Sequence, residues 1–171
     1  MFLNPNEILN QVGLTKEMVA ADFGSGSGGW SIPLAKILRD GQVSAIDVQE
    51  EPLSALVGEA RAQGVRNITT IVADLEQKVP GLVSESCDFI LISNVLFQAD
   101  DRLAILREAY RALKPGGWML AVEWRPEAPM GPKGLRLTVG EVEELARGTG
   151  FNLEKEIPAG LYHFALLFKK L

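Results

Sequence analysis

Short apolar runs alternate with longer stretches of helical spacing along most of this chain. Val19 to Ala21, Val43 to Ile46, Ile68 to Val72, Phe89 to Ile92 and Trp118 to Val122 are runs of small, β-branched and aromatic residues. That composition suits strands buried on both faces. Between them, apolar residues recur three and four positions apart. Trp30, Leu34, Ile37 and Leu38 mark one helix, the segment from Pro52 to about Gln63 a second that stops at Gly64, and Asp101 to Leu113 a third. Ahead of them, Asn4 as cap, Pro5 in the first turn and Glu7 three after the cap open a short helix over Ile8, Leu9 and Val12, which Gly13 ends. Lys114-Pro115-Gly116-Gly117 reads as an abrupt stop between the third helix and the fifth strand. Strands alternating with helices imply right-handed crossovers and a parallel sheet, which is the α/β class.

The last third breaks the alternation. Glu123 to Leu137 carries three prolines and two glycines without a regular period, so an ordered loop is expected there. Thr138 with Glu141 three later forms a capping box for a helix to about Arg147. Phe151 to Ile157 and Tyr162 to Lys169 are joined by Pro158-Ala159-Gly160, too short for a crossover, so they pair as an antiparallel hairpin.

Composition narrows this picture. A length of 171 residues, without repeats or a linker, suits one domain. The net charge of −5 disfavours nucleic acid or an anionic membrane as the main partner, although a local patch is compatible with it. Cys87 is the only cysteine, which excludes an intrachain disulfide and a cysteine-based metal cluster; no metal site is expected. Cys87 itself reads as a small core hydrophobe. With neither a signal peptide nor an apolar run long enough to span a bilayer, a soluble cytoplasmic protein is expected.

The chemistry concentrates in V-A-A-D-F-G-S-G-S-G, from Val19 to Gly28, where a strand passes through an acid into a glycine-alternating turn and then a helix. Glycines let the backbone turn sharply and approach a ligand with no Cβ between them. Gly24, Gly26 and Gly29 also satisfy G-x-G-x-x-G, with Asp47 downstream where a ribose-binding acid belongs, so a dinucleotide site is one reading. Three features oppose it. Asp22, two residues before the first glycine, would repel a pyrophosphate and favour a cationic ligand. A further acid, Asp74, closes the third strand at the same sheet edge. The chain also has no room for the substrate domain that a hydride-transfer enzyme normally carries.

The sequence resembles the class I S-adenosylmethionine-dependent methyltransferases over nearly its whole length. The resemblance rests on D-F-G-S-G-S-G, A-I-D-V ending the second strand, A-D-L after the third, D-F-I-L-I-S-N-V in the fourth, L-K-P-G-G-W before the fifth, and the terminal hairpin. S-N-V-L-F-Q and E-A-Y-R-A-L-K-P-G-G are most similar to the ubiquinone and menaquinone biosynthesis branch, many of whose members have no assigned substrate. The resemblance implies a Rossmann-like three-layer sandwich with a seven-stranded sheet of order 3-2-1-4-5-7-6, strand 7 antiparallel. It implies S-adenosylmethionine as cofactor, with Gly24, Ser25, Gly26 and Gly28 under its amino-acid end and Asp22 near its ammonium or the amides that bind it. Asp47, beside Val48, would hold the ribose diol; Asp74 would take the adenine amine with Leu75 against the ring. Asn94 follows the fourth strand at the switch point where open α/β sheets bind ligands.

Methyl transfer from a sulfonium depends mostly on positioning, and a base is required only where the acceptor must lose a proton. Topology delivers Glu123 and Trp124 to the working edge from the fifth strand, and Tyr162 and His163 from the seventh, making Glu123 and His163 the candidate bases. Trp30 and Trp124 read as walls. The fourth strand lacks the Asn-Pro-Pro-aromatic clamp of amino-methylating relatives, and no Pro-Cys pair exists for cytosine C5 chemistry. A small molecule or an exposed side chain is the expected acceptor, enclosed by Phe2, Phe97 and the loop from Glu123 to Leu137. A non-catalytic binding module of the same fold and a nicotinamide-dependent oxidoreductase fragment are the alternatives.

Overall fold

A computed structural model of the chain describes residues 3–171. Phe2, expected near the acceptor, lies outside the described residues. Helix α1 (Pro5–Leu9) starts where the Asn4 side chain accepts from the amides of Asn6 and Glu7. The alternating unit follows as β1 (Val19–Phe23), α2 (Ser31–Ile37), β2 (Gln42–Asp47), α3 (Glu50–Ala62) and β3 (Ile68–Val72). It continues through β4 (Cys87–Ser93), a 3-10 turn (Leu96–Gln98), α4 (Arg102–Ala112), β5 (Leu113–Trp124), α5 (Val139–Thr149), β6 (Phe151–Ile157) and β7 (His163–Lys170). The seven strands form one sheet of order β3-β2-β1-β4-β5-β7-β6. Strand β7 runs antiparallel to both β5 and β6, and every other pair is parallel.

Successive residues of a strand face opposite sides, so the central strands feed two cores. In β4, Ile90 and Ile92 join Leu106, Phe164 and Phe168 beneath α4 and α5, while Phe89 and Leu91 join Leu9, Leu34 and Leu167 beneath α1 and α2. All ten are fully buried, each stabilising the fold by about 1.5–3 kcal/mol over an exposed position. This two-sided burial is why β4 reads as an unbroken apolar run, whereas the outermost strands β3 and β6 carry exposed polar residues.

Two local features differ from the sequence pattern. Strand β5 begins at Leu113 rather than Trp118, because Leu113 pairs with Cys87 while Trp118 pairs with Phe89. Lys114-Pro115-Gly116-Gly117 is therefore looped out as a bulge, with Gly116 at φ +78°. The buried Lys170 ammonium donates to the carbonyls of Tyr110 (2.8 Å) and Leu113 (2.7 Å), satisfying the end of α4. The second difference is the 3-10 turn after β4, where sequence spacing gave no element. Among the described residues, no helix is long and apolar enough to cross a membrane.

Candidate functional site

Parallel strands present their C-terminal ends to one edge, and the glycine loop lies there. The amides of Gly24 and Ser25 both donate to the Ile46 carbonyl, at 2.8 and 2.9 Å, which draws the loop back over the end of β2. Gly24, Gly26 and Gly28 have φ of +80°, +52° and +95°, a region that side chains other than glycine rarely adopt. A Cβ on Gly24 would stand 2.3 Å from Val95 Cγ2, so the residue is glycine for contact as well as conformation.

Asp47 closes β2 with both oxygens engaged. Its Oδ2 accepts from the Gly26 amide at 2.9 Å and its Oδ1 from the Gln49 amide at 3.0 Å. One bond to each oxygen fixes the carboxylate plane and leaves further lone pairs for a ligand. Asp74 is exposed beyond β3, its Oδ1 accepting from the Glu76 amide at 2.9 Å. These acids border a cleft of about 690 Å³ that Gly24, Gly26, Val48, Leu75 and Asn94 also line. Val48 is 65% exposed there, and a large aliphatic side chain at the lip of a cleft is suited to a flat apolar ring. A smaller hollow of about 360 Å³ between α3 and β3 has no carboxylate in its lining and lies away from the strand ends.

Sequence spacing did not single out the far wall of the cleft, built from Ser93, Val95, Gln98, Ala99 and Asp100. It is tied together locally. Gln98 Nε2 donates to the Asn94 carbonyl (2.8 Å), and the Asp100 amide donates to Glu76 Oε1 (2.8 Å), closing the rim between β3 and the 3-10 turn. Asn94 sits at φ +56°, an uncommon conformation that asparagine tolerates better than most residues. The only available signal was an asparagine directly after a buried strand.

Asp22, Ser25 and Gly28 do not line the cleft: Asp22 lies behind the loop, and Ser25 and Gly28 are loop residues turned away from the cleft. Asp22 is 1% exposed and its Oδ2 accepts from Ser31 Oγ at 2.5 Å. Burial pushes its carboxyl up to about 7, against the opposing Ser31 bond. A Cβ on Gly28 would meet Leu56 Cγ at 2.8 Å, so that glycine fits the loop against α3.

Glu123 and His163 also stand outside the cleft lining. Glu123 is 1% exposed; its Oε1 accepts from the amides of Val95 (3.1 Å) and Leu96 (2.8 Å). Burial raises its carboxyl to about 7, partly offset by those amides. His163 pairs with Trp124 across β5 and β7, with ring centroids 4.0 Å apart. Burial, and then the positive charge of Arg136, lower its pKa to about 4, so the imidazole is neutral at neutral pH. Arg136 lies over Trp124 at 5.5 Å and donates to the carbonyls of Arg125, Ala128, Met130 and Pro132, which gives the proline-rich loop its order.

Buried polar atoms without a hydrogen-bond partner are Asp22 Oδ1, Ser25 Oγ, Asn94 Oδ1, Glu123 Oε2 and His163 Nε2 among the described residues. All lie at or just beyond the C-terminal ends of β1, β4 and β5 or at the start of β7, so the unsatisfied polar capacity is concentrated at one edge of the sheet. Such groups are costly unless a ligand or another partner completes them.

Comparison with known proteins shows the family and the fold. A demethylmenaquinone methyltransferase from Staphylococcus aureus (strain MRSA252) is 32% identical over 117 residues, covering 68% of this chain and 47% of that protein. The chain thus spans about half the length of the curated relatives it matches. A SAM-dependent methyltransferase from Aquifex aeolicus superimposes with a TM-score of 0.91 at 26% identity, covering 99% of this chain and 91% of that one. The cyclase SpnF has the same fold, with a TM-score of 0.81 at 17% identity and coverage of 97% and 79%. Residues 20–117, more than half of the sequence, match the family described as a methyltransferase domain, and the chain belongs to that family.

Proposed function

We propose that this chain is a cytoplasmic enzyme that transfers a methyl group from S-adenosylmethionine to a small-molecule acceptor, with S-adenosylhomocysteine as co-product. The observation that carries the reading is the Asp47 carboxylate, held by one amide on each oxygen at the floor of a cleft whose lip is apolar. The cofactor fits the residues present. Its ribose diol matches the remaining lone pairs of Asp47, its adenine the pair Val48 and Leu75 with Asp74 at the ring edge, and its amino-acid end the open space above Gly26, where a Cβ would meet nothing within 4 Å. The orphaned Asp22 Oδ1, behind that loop, would offer negative charge towards a cationic ligand once the carboxyl ionises.

When bound, S-adenosylmethionine supplies a methyl carbon activated by a cationic sulfur. The chain's own part is to hold two reactants in line and to keep water away. Asp47 and Asp74 fix the two ends of the nucleoside, and Asn94 and Val95 wall the side towards β4. His163, neutral with an unpartnered Nε2, suits hydrogen bonding to an acceptor better than proton removal. The similarity to demethylmenaquinone methyltransferases favours a ring-bearing small molecule over a polymer.

Calorimetric titration with S-adenosylmethionine, followed by a labelled-methyl assay against a panel led by demethylated naphthoquinols, tests the proposal. Micromolar binding with label transferred to a panel member is the expected result. Binding without transfer to small molecules or proteins would favour a non-catalytic module, a reading that SpnF makes concrete because its fold is put to a cyclase's use. Tight NADH binding in place of S-adenosylmethionine would favour an oxidoreductase fragment.

A further inference from the structure

We infer that Glu123 is a positioning residue: from the end of β5 its carboxylate holds the segment Asn94 to Leu96 against the glycine loop and thereby sets one wall of the cofactor cleft. The inference rests on the proposed cofactor site and goes beyond it, because Glu123 does not line that cleft.

The contacts form a chain of three links. Glu123 Oε1 accepts two consecutive amides, Val95 at 3.1 Å and Leu96 at 2.8 Å. A single carboxylate oxygen taking two neighbouring amides fixes the direction of the backbone between them, as a capping residue fixes the first turn of a helix. Here it opens the 3-10 turn Leu96–Gln98, whose preceding residue Val95 supplies no side-chain cap of its own. Val95 then lies so close to Gly24 that a Cβ there would approach its Cγ2 to 2.3 Å. Gly24 and Val95 both line the cleft, so the distance between the glycine loop and the far wall is set where those two meet.

Two further contacts brace the same segment. The Asn94 amide donates to the Val122 carbonyl at 2.8 Å, and Arg102 Nε donates to the Leu96 carbonyl at 2.8 Å. Asn94 is held at φ +56° between these anchors, and such a conformation persists only where its surroundings impose it. Val122 and Glu123 are consecutive, so β5 grips the segment twice, once through a carbonyl and once through a carboxylate. A carboxylate committed this way differs from a general base, which must reach the acceptor's proton within hydrogen-bond distance.

Three variants separate the two roles. Glu123→Gln keeps an acceptor oxygen for both amides, Glu123→Asp is one methylene too short to reach them, and Glu123→Ala removes the acceptor. Amide hydrogen exchange in the free protein reads the contact directly. Val95 and Leu96 are expected to exchange about tenfold to a hundredfold faster in the Asp and Ala variants and near the parent rate in Gln, from the cost of leaving buried amides without an acceptor. S-Adenosylmethionine is expected to bind about tenfold more weakly to the Asp and Ala variants, with kcat at saturating cofactor within about threefold of the parent. Unchanged exchange in the Asp variant overturns the inference whatever the cofactor does, and suffices should the Ala variant not fold. So does a Gln variant that binds cofactor normally but loses kcat a hundredfold, which is the behaviour of a base. Failure of the parent to bind S-adenosylmethionine would instead overturn the proposed function and, with it, the cleft wall that Glu123 is said to set.

Discussion

The two halves of the sheet edge that holds the strand C-termini use titratable side chains in opposite ways. At the ends of β2 and β3, Asp47 and Asp74 border the cleft, Asp47 taking two backbone amides and Asp74 one, with lone pairs left over. At β5 and β7, Glu123 and His163 are buried, and each has one polar atom without a partner. Burial moves the titration of both inner groups, Glu123 up to about 7 and His163 down to about 4. On the proposed function the outer acids receive the ligand and the inner groups shape the space around it. A carboxylate's role follows from what already occupies its lone pairs more than from its place at a strand end.

The largest expected effect breaks the outer half. Asp47→Ala removes two charge-assisted contacts to a ribose diol, each on the order of 1.5–3 kcal/mol, so S-adenosylmethionine should bind about a hundredfold to ten-thousandfold more weakly by calorimetry. It also releases the Gly26 amide, so loop order and ligand contact are lost together. Binding within threefold of the parent would mean that Asp47 is a solvated loop acid and would sink the site assignment. The next effect lies on the boundary between the halves. Gly24→Ala places a methyl against Val95 at a positive φ, which is expected to cost about 1–3 kcal/mol in chemical denaturation. Adding Val95→Ala should restore part of that loss, because the clash is with one side chain; additivity of the two changes would show that the wall and the loop do not touch in solution.

The outer half was largely legible in the sequence because its signals are local. Glycines at 24, 26 and 28 sit at positive φ, and Asp47 and Asp74 each follow a short apolar run, so residue type and spacing were enough. Sheet order and the antiparallel seventh strand followed from the family resemblance and from a linker too short for a crossover. The inner half was less legible because its structure comes from long-range contacts. Glu123 reaches residues 27 and 28 positions away, and no local pattern reports that. The proline-rich segment could be read only as a loop, since its order depends on Arg136 collecting four carbonyls. Asp22 was legible as an acid beside the glycines but not as a buried one, and the same strand that buries it supplies no charge partner.

That burial gives the smallest expected effect and the one that most sharpens the comparison. Asp22 in the free protein titrates near 7 because it is buried, so it is largely protonated at pH 6 and largely ionised at pH 8. A folded pKa above the unfolded value stabilises the fold fully below the unfolded carboxylate range, and that contribution is lost as pH rises through about 7. Glu123 acts in the same direction, so the melting temperature of the free protein should fall between pH 5 and pH 8. Cofactor binding should show the opposite slope, since a cation near Asp22 favours the ionised form and the proton must leave on binding. The ratio of parent to Asp22→Asn affinity should therefore drop about tenfold from pH 8 to pH 6, at about 1.4 kcal/mol per pH unit below the pKa. Taking the ratio cancels the titration of the cofactor's own amine. Calorimetry in buffers of different ionisation enthalpy should also detect up to one proton released by the parent at pH 6 and less by the variant. A flat ratio would mean that Asp22 keeps its proton in the complex, holding Ser31 and the loop by hydrogen bonding alone, and would place it with the inner groups that shape the site rather than with the outer acids that receive the ligand.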